Sequence, residues 1–207
     1  MNVKQLVIAA AVLMPFVLPG TIQAEAWTID PAHSSAQFSV RHMMVSTVRG
    51  EFTRLSGTVE LDEKDVTRSS VEATIDATTI DTRNERRDNH LKSADFFDVA
   101  NHPTITFKSA KVDKASDGRL KVTGDLTIRG ITRPVVLDVE ALSPVVRDPQ
   151  GNLRSGTSAT TRINRKDFGV SWSANLDGGG LVVSDDVNIT IDIELIKKAA
   201  PSSGASK

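Results

Sequence analysis

The 207-residue sequence contains no cysteine, and this absence excludes several classes of structure. Without cysteine the chain forms no disulfide bond, carries no lipid-modified cysteine and offers no thiolate to a metal ion. Histidine cannot supply a motif instead, because none of the four histidines is spaced as H-x-H or H-x-x-x-H: His33, His42, His90 and His102. We therefore expect no metal site and no other cofactor.

A surplus of charge of one sign is also lacking. The 25 lysines and arginines are balanced by 26 aspartates and glutamates, so that the formal net charge is −1 with histidine neutral. A domain that binds nucleic acid usually shows a basic surplus. We expect no nucleic-acid partner.

Long apolar runs are missing after the first segment of the chain. That segment has Lys4, an apolar run over 6–18 and an A-x-A sequence from Ala24 to Ala26, which is the pattern of a secretory signal peptide. The run is shorter than the roughly 20 residues that a membrane span needs. The sequence thus predicts a signal peptide over residues 1–26, cleavage before Trp27, export, and no stable membrane span.

The rest of the chain is long enough for one domain with its own core. Residues 27–198 form this predicted domain, and proteins of such a size bury roughly 70% of their unfolded surface. The last residues, 199–207, are small and polar and predict a disordered tail.

Helical periodicity is nearly absent as well. Apolar residues instead alternate with polar ones, as at Ala36, Phe38 and Val40, and this pattern recurs often enough to predict about eight or nine strands. A sheet with one apolar face and no helical layer to cover it must close on itself. We predict an all-β fold, a single closed antiparallel β-barrel of about eight strands that is either filled or able to hold one small ligand. Several inward positions are small, which fits either a cavity or a sharp bend: Ala36, Gly57, Ala73, Ala77, Gly124 and Ala159.

One stretch, residues 79–107, breaks the strand pattern. Thr82 and Glu85 have the spacing of a capping box, which predicts that a short helix begins at Thr82 and runs to Lys92. Cationic residues occupy the positions where an apolar stripe is usual, and only a few apolar side chains remain to anchor the helix: Leu91, Phe96 and Phe97. We predict a helical cap fixed by these three residues to the apolar interior.

Several segments, taken in order, resemble the signatures of a known family. They are WTIDPAHSSAQFSVRHMMVSTVRGEF from Trp27, TTIDTRNERRDNHLKSADFFD from Thr78, HPTITFKS from His102, GDLTIRGITRPVVL from Gly124 and INRKDFGVSW from Ile163. The chain is similar over nearly all of 27–198 to the YceI family of exported, lipocalin-like proteins. This resemblance implies a barrel, lipocalin-like and periplasmic, whose interior binds a polyisoprenoid or another long-chain amphipathic lipid. It also implies a link to isoprenoid metabolism, lipid transport or stress response, and no agreed catalytic reaction.

On this hypothesis the apolar inward residues would line the ligand chain. The candidates are Phe38, Val40, Phe52, Ile75, Phe97, Phe107, Leu126, Ile128, Phe168 and Trp172. The alternative for each is that it fills a solid core.

A polar or anionic head group would be met by cations of the cap, because guanidinium groups suit phosphate and carboxylate oxygens. The candidates are Arg83, Arg86, Arg87 and His90, with Asp88 orienting an arginine and His42 as a further polar contact. The alternatives are that the cations face solvent or pair with Asp81, Asp95 or Asp98, and that His42 is a hydrogen-bonded core residue. Arg165 and Asp167 are interpreted as a buried structural pair.

Enzymatic interpretations are weaker. The segment GVSWS at Gly169–Ser173 lacks the closing glycine and the strand-to-helix context of a nucleophile elbow, so we predict a binding protein and no enzyme. Two alternatives stay open: a lipid-modifying enzyme that uses residues near the cap, and a filled barrel that acts as an interaction module. A homodimer is also compatible with the sequence.

Overall fold

A computed structural model describes residues 24–174 and 181–198. Most of the predicted signal peptide and the predicted tail lie outside these ranges. Within them the chain forms twelve strands and one α-helix. The strands are β1 Glu25–Ile29, β2 Ser35–His42, β3 Ser46–Phe52, β4 Leu55–Leu61, β5 Ser70–Asp76, β6 Ile80–Asp81, β7 Thr104–Lys114, β8 Leu120–Ile128, β9 Ile131–Val139, β10 Val146–Arg147, β11 Leu153–Asn164 and β12 Val183–Lys197; α1 spans Glu85–Lys92.

Eight strands close into an antiparallel barrel, as the sequence predicted. Their order is β11-β9-β8-β7-β5-β4-β1-β12, and β12 pairs back with β11 along the whole length of β11. The remaining strands extend this wall, because β2 continues beyond β1 along β12, β3 pairs with β2, and β6 pairs with β3. Long strands are therefore broken into shorter pieces. One break falls at Thr53 and Arg54, where the alternation of apolar residues changes phase.

The first described strand takes part in closing the barrel. Thr28 is paired with Ile196 of β12, and on the other edge Glu25 is paired with Leu61 of β4. Strand β1 thus begins two residues before Trp27. The predicted cleavage site lies in this strand, and the cleavage itself stays a prediction.

Buried side chains form three clusters along the barrel. The first is centred on Phe52, Phe96 and Phe168 beside the helix, and the second surrounds Trp27 and Leu195 at the far end. The third lies against the wall formed by β7, β8, β9 and β11: Val112, Val122, Leu137 and Ala159. The apolar faces predicted from the alternation are therefore the ones that point inward.

Two of the small inward residues are explained by bending of the wall. A Cβ atom at Gly124 would lie 2.5 Å from the carbonyl oxygen of Lys108, and one at Gly57 would collide with the carbonyl of Glu72. Only glycine permits the neighbouring strands to approach so closely. Ala36, Ala73 and Ala159, in contrast, lie on the wall of an internal cavity.

The predicted start of the helix is wrong. The helix begins at Glu85, and its N-cap is Asn84, whose Oδ1 accepts a hydrogen bond from the backbone N–H of Arg87. Arg83 has a φ of 61° and is outside the helix, because Asp81 Oδ1 accepts its N–H in a tight turn. Thr82 does not cap the helix, since its hydroxyl donates to Asp88 Oδ1 at 2.5 Å.

In residues 24–174 and 181–198 we find no helix with the length and apolar character that a membrane crossing requires.

Candidate functional site

The barrel encloses a cavity of about 480 Å³ that runs past all three buried clusters. All of the chain-lining candidates lie on its wall: Phe38, Val40, Phe52, Ile75, Phe97, Phe107, Leu126, Ile128, Phe168 and Trp172. They are contributed by strands on every side and by the segments after the helix and after β11. Their position is therefore as predicted, and contact with a ligand stays a prediction.

The chain-lining candidates predicted from the sequence did not include the aliphatic residues that line the far half of the cavity. Its wall there consists mainly of aliphatic side chains: Leu61, Val66, Leu120, Val139, Leu142 and Leu195. The alternation of apolar residues could have identified several of them, because Leu120, Val139 and Leu195 are in phase with the predicted inward faces of their strands. Val66 and Leu142 lie outside strands, where no periodicity marks them.

The charged and titratable side chains of the cavity wall lie at its helix end. Arg87, His90 and Leu91 all reach the wall, because residues at i, i+3 and i+4 lie on one face of a helix. Leu91 and Phe97 pack against the cluster that contains Phe96, so the three predicted anchors do hold this segment on the apolar interior. The face that α1 turns inward is therefore partly cationic.

Arg87 is held in place by a chain of hydrogen bonds. Its Nε donates to the hydroxyl of Thr82 at 2.7 Å, and its Nη2 donates to the Thr82 carbonyl at 2.8 Å. Asp88 Oδ1 accepts both the hydroxyl and the backbone N–H of Thr82. Asp88 is therefore linked to Arg87 through Thr82, which is 4% exposed.

His90 lies between two aromatic rings. Its imidazole makes edge contacts with Phe96 and Trp172, with ring centroids 5.0 and 5.2 Å apart. Its Nε2 lies 2.8 Å from Asp95 Oδ2. Pairing with Asp95, one of the alternatives left open for the cations of the cap, is therefore found for His90.

Arg165 completes the polar end, and sequence reasoning had assigned it the wrong partner. Its guanidinium is 5% exposed and donates to the carbonyls of Val170, Trp172 and Ser184 and to Asp185 Oδ1, not to Asp167. Burial lowers the pKa of Arg165, and Asp185 opposes that shift. The ion pair was missed because β12 brings Asp185 close from a distant part of the sequence.

His42 is also on the cavity wall, at the end of β2 and paired with Val183 of β12. Val183 in turn accepts a hydrogen bond from Arg165 through its carbonyl. His42 therefore belongs to the same polar end as His90, Trp172 and Arg165.

Arg83 and Arg86 do not reach the cavity. Both are exposed, and neither forms an ion pair with another residue in the described ranges. Of the two alternatives left open for them, exposure to solvent applies and pairing does not: Asp95 contacts His90, Asp98 lies 4.0 Å from His102, and Asp81 accepts a backbone N–H. Of the three arginines proposed for a head group, only Arg87 lies beside the cavity.

A closed antiparallel barrel with an apolar cavity and one polar end defines a lipocalin-like class of binding fold. A family model described as "YceI-like domain" matches residues 27–195. The chain belongs to this family.

Relatives and solved structures agree with this assignment. A UPF0312 protein of Vibrio parahaemolyticus is 34% identical over 197 residues, which cover 94% of this chain and 100% of the relative. The crystal structure of BcnA from Burkholderia cenocepacia is similar with a TM-score of 0.68 at 25% identity, over 80% of this chain and 98% of BcnA. A polyisoprenoid binding domain from Saccharophagus degradans shares the fold with a TM-score of 0.59 at 16% identity, over 82% of this chain and 97% of that domain.

Proposed function

We propose that this protein is an exported, periplasmic carrier that holds one polyisoprenoid or other long-chain amphipathic lipid inside its barrel. The observation that carries the proposal is the cavity of about 480 Å³, whose wall is largely apolar and whose charged or titratable side chains all lie at the helix end: His42, Arg87, His90 and Arg165. Burial of an aliphatic chain contributes roughly 0.8 kcal/mol per methylene, so affinity would come from the chain. The ligand named for the S. degradans domain is of this chemical class.

The polar head would lie at the helix end, where Arg87 and His90 face the cavity. Arg87 uses Nε and Nη2 in the bonds to Thr82, and its remaining N–H groups are able to meet phosphate or carboxylate oxygens. His42 is a second polar contact at this end. Arg83 and Arg86, exposed on the outside, would act on the ligand only at long range.

A direct test is native mass spectrometry of the purified protein with extraction of its lipids, followed by loading with prenyl and acyl chains. We expect one chain per protein in the wild type and lower occupancy, limited to shorter chains, in Ala159→Phe, because the added ring would occupy part of the cavity. Thr160→Phe, which introduces the same side chain on the exposed face of the same strand, is the matched control and should bind normally. Val40→Trp, at a different position on the wall, serves as a second filling variant. A wild-type protein that is always empty and refuses both kinds of chain would overturn the proposal.

Transport or storage, rather than chemistry on the lipid, is the second part of the proposal. An enzyme that uses residues near the cap would turn over prenyl phosphates or acyl esters, and His90→Ala or Asp88→Ala would abolish the product. A carrier shows altered binding in these variants and forms no product in any of them. Product formed by the wild type and lost in His90→Ala would refute this second part and leave lipid binding intact.

A further inference from the structure

The hairpin between β2 and β3 ends in three consecutive exposed apolar residues. Met43, Met44 and Val45 are 41%, 63% and 80% exposed. Turns of this kind normally carry polar residues or glycine, and exposed apolar side chains in a group mark an interaction site. This tip plays no part in the cavity wall.

The backbone of the tip makes the choice of residues more unusual. Met43 and Met44 have φ values of 50° and 57°, in the left-handed region that glycine and asparagine adopt most readily. Methionine there adds backbone strain and exposes apolar surface, so local stability does not explain it. Strain of this kind is a reason to look for a function.

Among the residues that the structure describes, the charge around the tip is positive. No acidic residue occurs between Asp30 and Glu51, whereas Arg41 and Arg49 flank the tip on its two strands. Neither arginine is in an ion pair with a described residue; the Arg41 guanidinium donates to the Met44 carbonyl and the Thr47 hydroxyl. On the neighbouring strand β12 the acids Asp185 and Asp186 are already paired with cations. Glu51 lies about 20 Å along β3 from Val45 at the rise of an extended strand.

The tip also lies next to the polar end of the cavity. Met43 donates its N–H to the carbonyl of Val182, and Val182, Val183 and His42 all contribute to the cavity wall. A surface that this hairpin contacts would therefore be close to the end where the lipid head group is proposed to lie.

We propose that the tip, Met43–Val45, inserts into the interfacial region of a lipid bilayer with anionic head groups, while Arg41 and Arg49 contact the phosphates. Apolar side chains flanked by cations have the composition of an interfacial membrane anchor. The bilayer would be the source or destination of the carried lipid, and this role in lipid transfer rests on the proposed function. Binding of the tip to the bilayer does not depend on it.

The test is sedimentation with vesicles of 30% phosphatidylglycerol in phosphatidylcholine, compared with pure phosphatidylcholine. The wild type should bind the anionic vesicles more strongly. The variant Met43→Asn/Met44→Gly/Val45→Ser should lose about tenfold or more of its partition coefficient, because the apolar anchor is removed. It should melt no lower than the wild type, since asparagine and glycine suit the backbone of the turn. Val145→Ser/Val146→Ser, which removes another exposed apolar pair, is the control and should bind as the wild type does.

Charge is tested separately. Arg49→Gln should reduce binding to the anionic vesicles about fivefold and leave the weak binding to neutral vesicles unchanged. Arg119→Gln, an exposed arginine near the far end of the barrel, should change neither. Failure of the wild type to bind anionic vesicles, or wild-type binding by the tip variant, would overturn the proposal. Chain binding measured without vesicles on the same variants should be normal, so that loss of the proposed function would be recognised independently.

Discussion

Arg154 links three acidic residues on the outer surface of the barrel at its far end. Its Nη1 lies 2.7 Å from Asp30 Oδ2 and also contacts Glu194, while its Nε lies 2.8 Å from Asp148 Oδ2. Asp30, His33 and Glu194 each offer one side-chain atom that is able to coordinate a metal ion, and these three atoms lie within 4.8 Å of one another. The Arg154 guanidinium already supplies positive charge beside Asp30 and Glu194, so the grouping of these side chains is explained without a metal ion.

These contacts change the protonation of the carboxyl groups. A hydrogen bond from His33 and then one from Arg154 lower the pKa of Asp30 to about 2, and Arg154 is the main cause that lowers the pKa of Asp148 to about 2. Hydrogen bonds to Asp148, Asp30 and Glu194 in turn raise the pKa of Arg154.

We predict that the free energy of unfolding decreases as the pH falls from about 4 to about 2. The ordinary pKa of 3.8 applies to the unfolded chain, which therefore binds more protons than the folded protein within this window. The contribution of Asp30 and Asp148 to the free energy of unfolding is fully present above pH 4 and is lost as the pH falls through their folded-state pKa of about 2. Arg154→Met should lower stability at neutral pH and flatten this dependence, as measured by urea unfolding at several pH values. Arg162→Met, which removes an exposed pair with Asp186, should keep the wild-type slope. Equal slopes in the wild type and in Arg154→Met would contradict the assignment.

At the scale of elements, the strands were predictable and their breaks were only partly so. Alternation depends on which face meets the core, so Phe38 and Leu126 were placed correctly before any pairing was known. The helix start was misplaced because two local patterns compete: Thr82 fits a capping box, but Asp88 captures its hydroxyl and Asn84 takes the cap. Sequence spacing does not rank such alternatives.

We predict that Asn84→Ala destabilises the protein by about 1 kcal/mol, because the N–H of Arg87 loses its side-chain acceptor at the helix N-terminus. Faster hydrogen exchange in residues 85–92, together with a lower unfolding midpoint, would show it. Glu85→Ala is the matched control, since a capping box would need the side-chain oxygen of Glu85 whereas Asn84 is the cap in this structure. A cost for Glu85→Ala equal to that for Asn84→Ala would favour the capping box.

The candidate site was predictable where it is apolar and less so where it is polar. Inward phase is a local property of each strand, which is why the chain-lining candidates on strands reached the cavity; Phe97, Phe168 and Trp172 lie outside strands and reach it through the segments after α1 and β11. Polar partners are chosen by tertiary approach: Asp185 reaches Arg165 only because β12 returns alongside β11, and Asp95 reaches His90 only after the turn that follows α1. Arg83 was wrongly placed on the helix for a local reason, since Asp81 accepts its N–H and holds it in a tight turn before Asn84.

At the scale of the whole molecule, the closed barrel explains how a protein without disulfides keeps an internal cavity. Strands β1 and β12 seal the wall, and the buried clusters lie at both ends and along one side of the cavity. Stability can therefore come from the wall and the ends, while the cavity stays apolar and available to a ligand.

A cavity of fixed size predicts a particular dependence of affinity on ligand length. Each methylene added to a carboxylate or phosphate amphiphile should tighten binding about fourfold while the chain still finds space in the barrel, at roughly 0.8 kcal/mol per group. Affinity should then stop rising once the cavity of about 480 Å³ is filled. Displacement of a fluorescent fatty acid by a series of saturated chains of increasing length measures this. Ala159→Phe should reach its plateau at a shorter chain than Thr160→Phe, because only the first ring points inward. A rise that continues at the same slope, identical in both variants, would mean that chains bind outside the barrel.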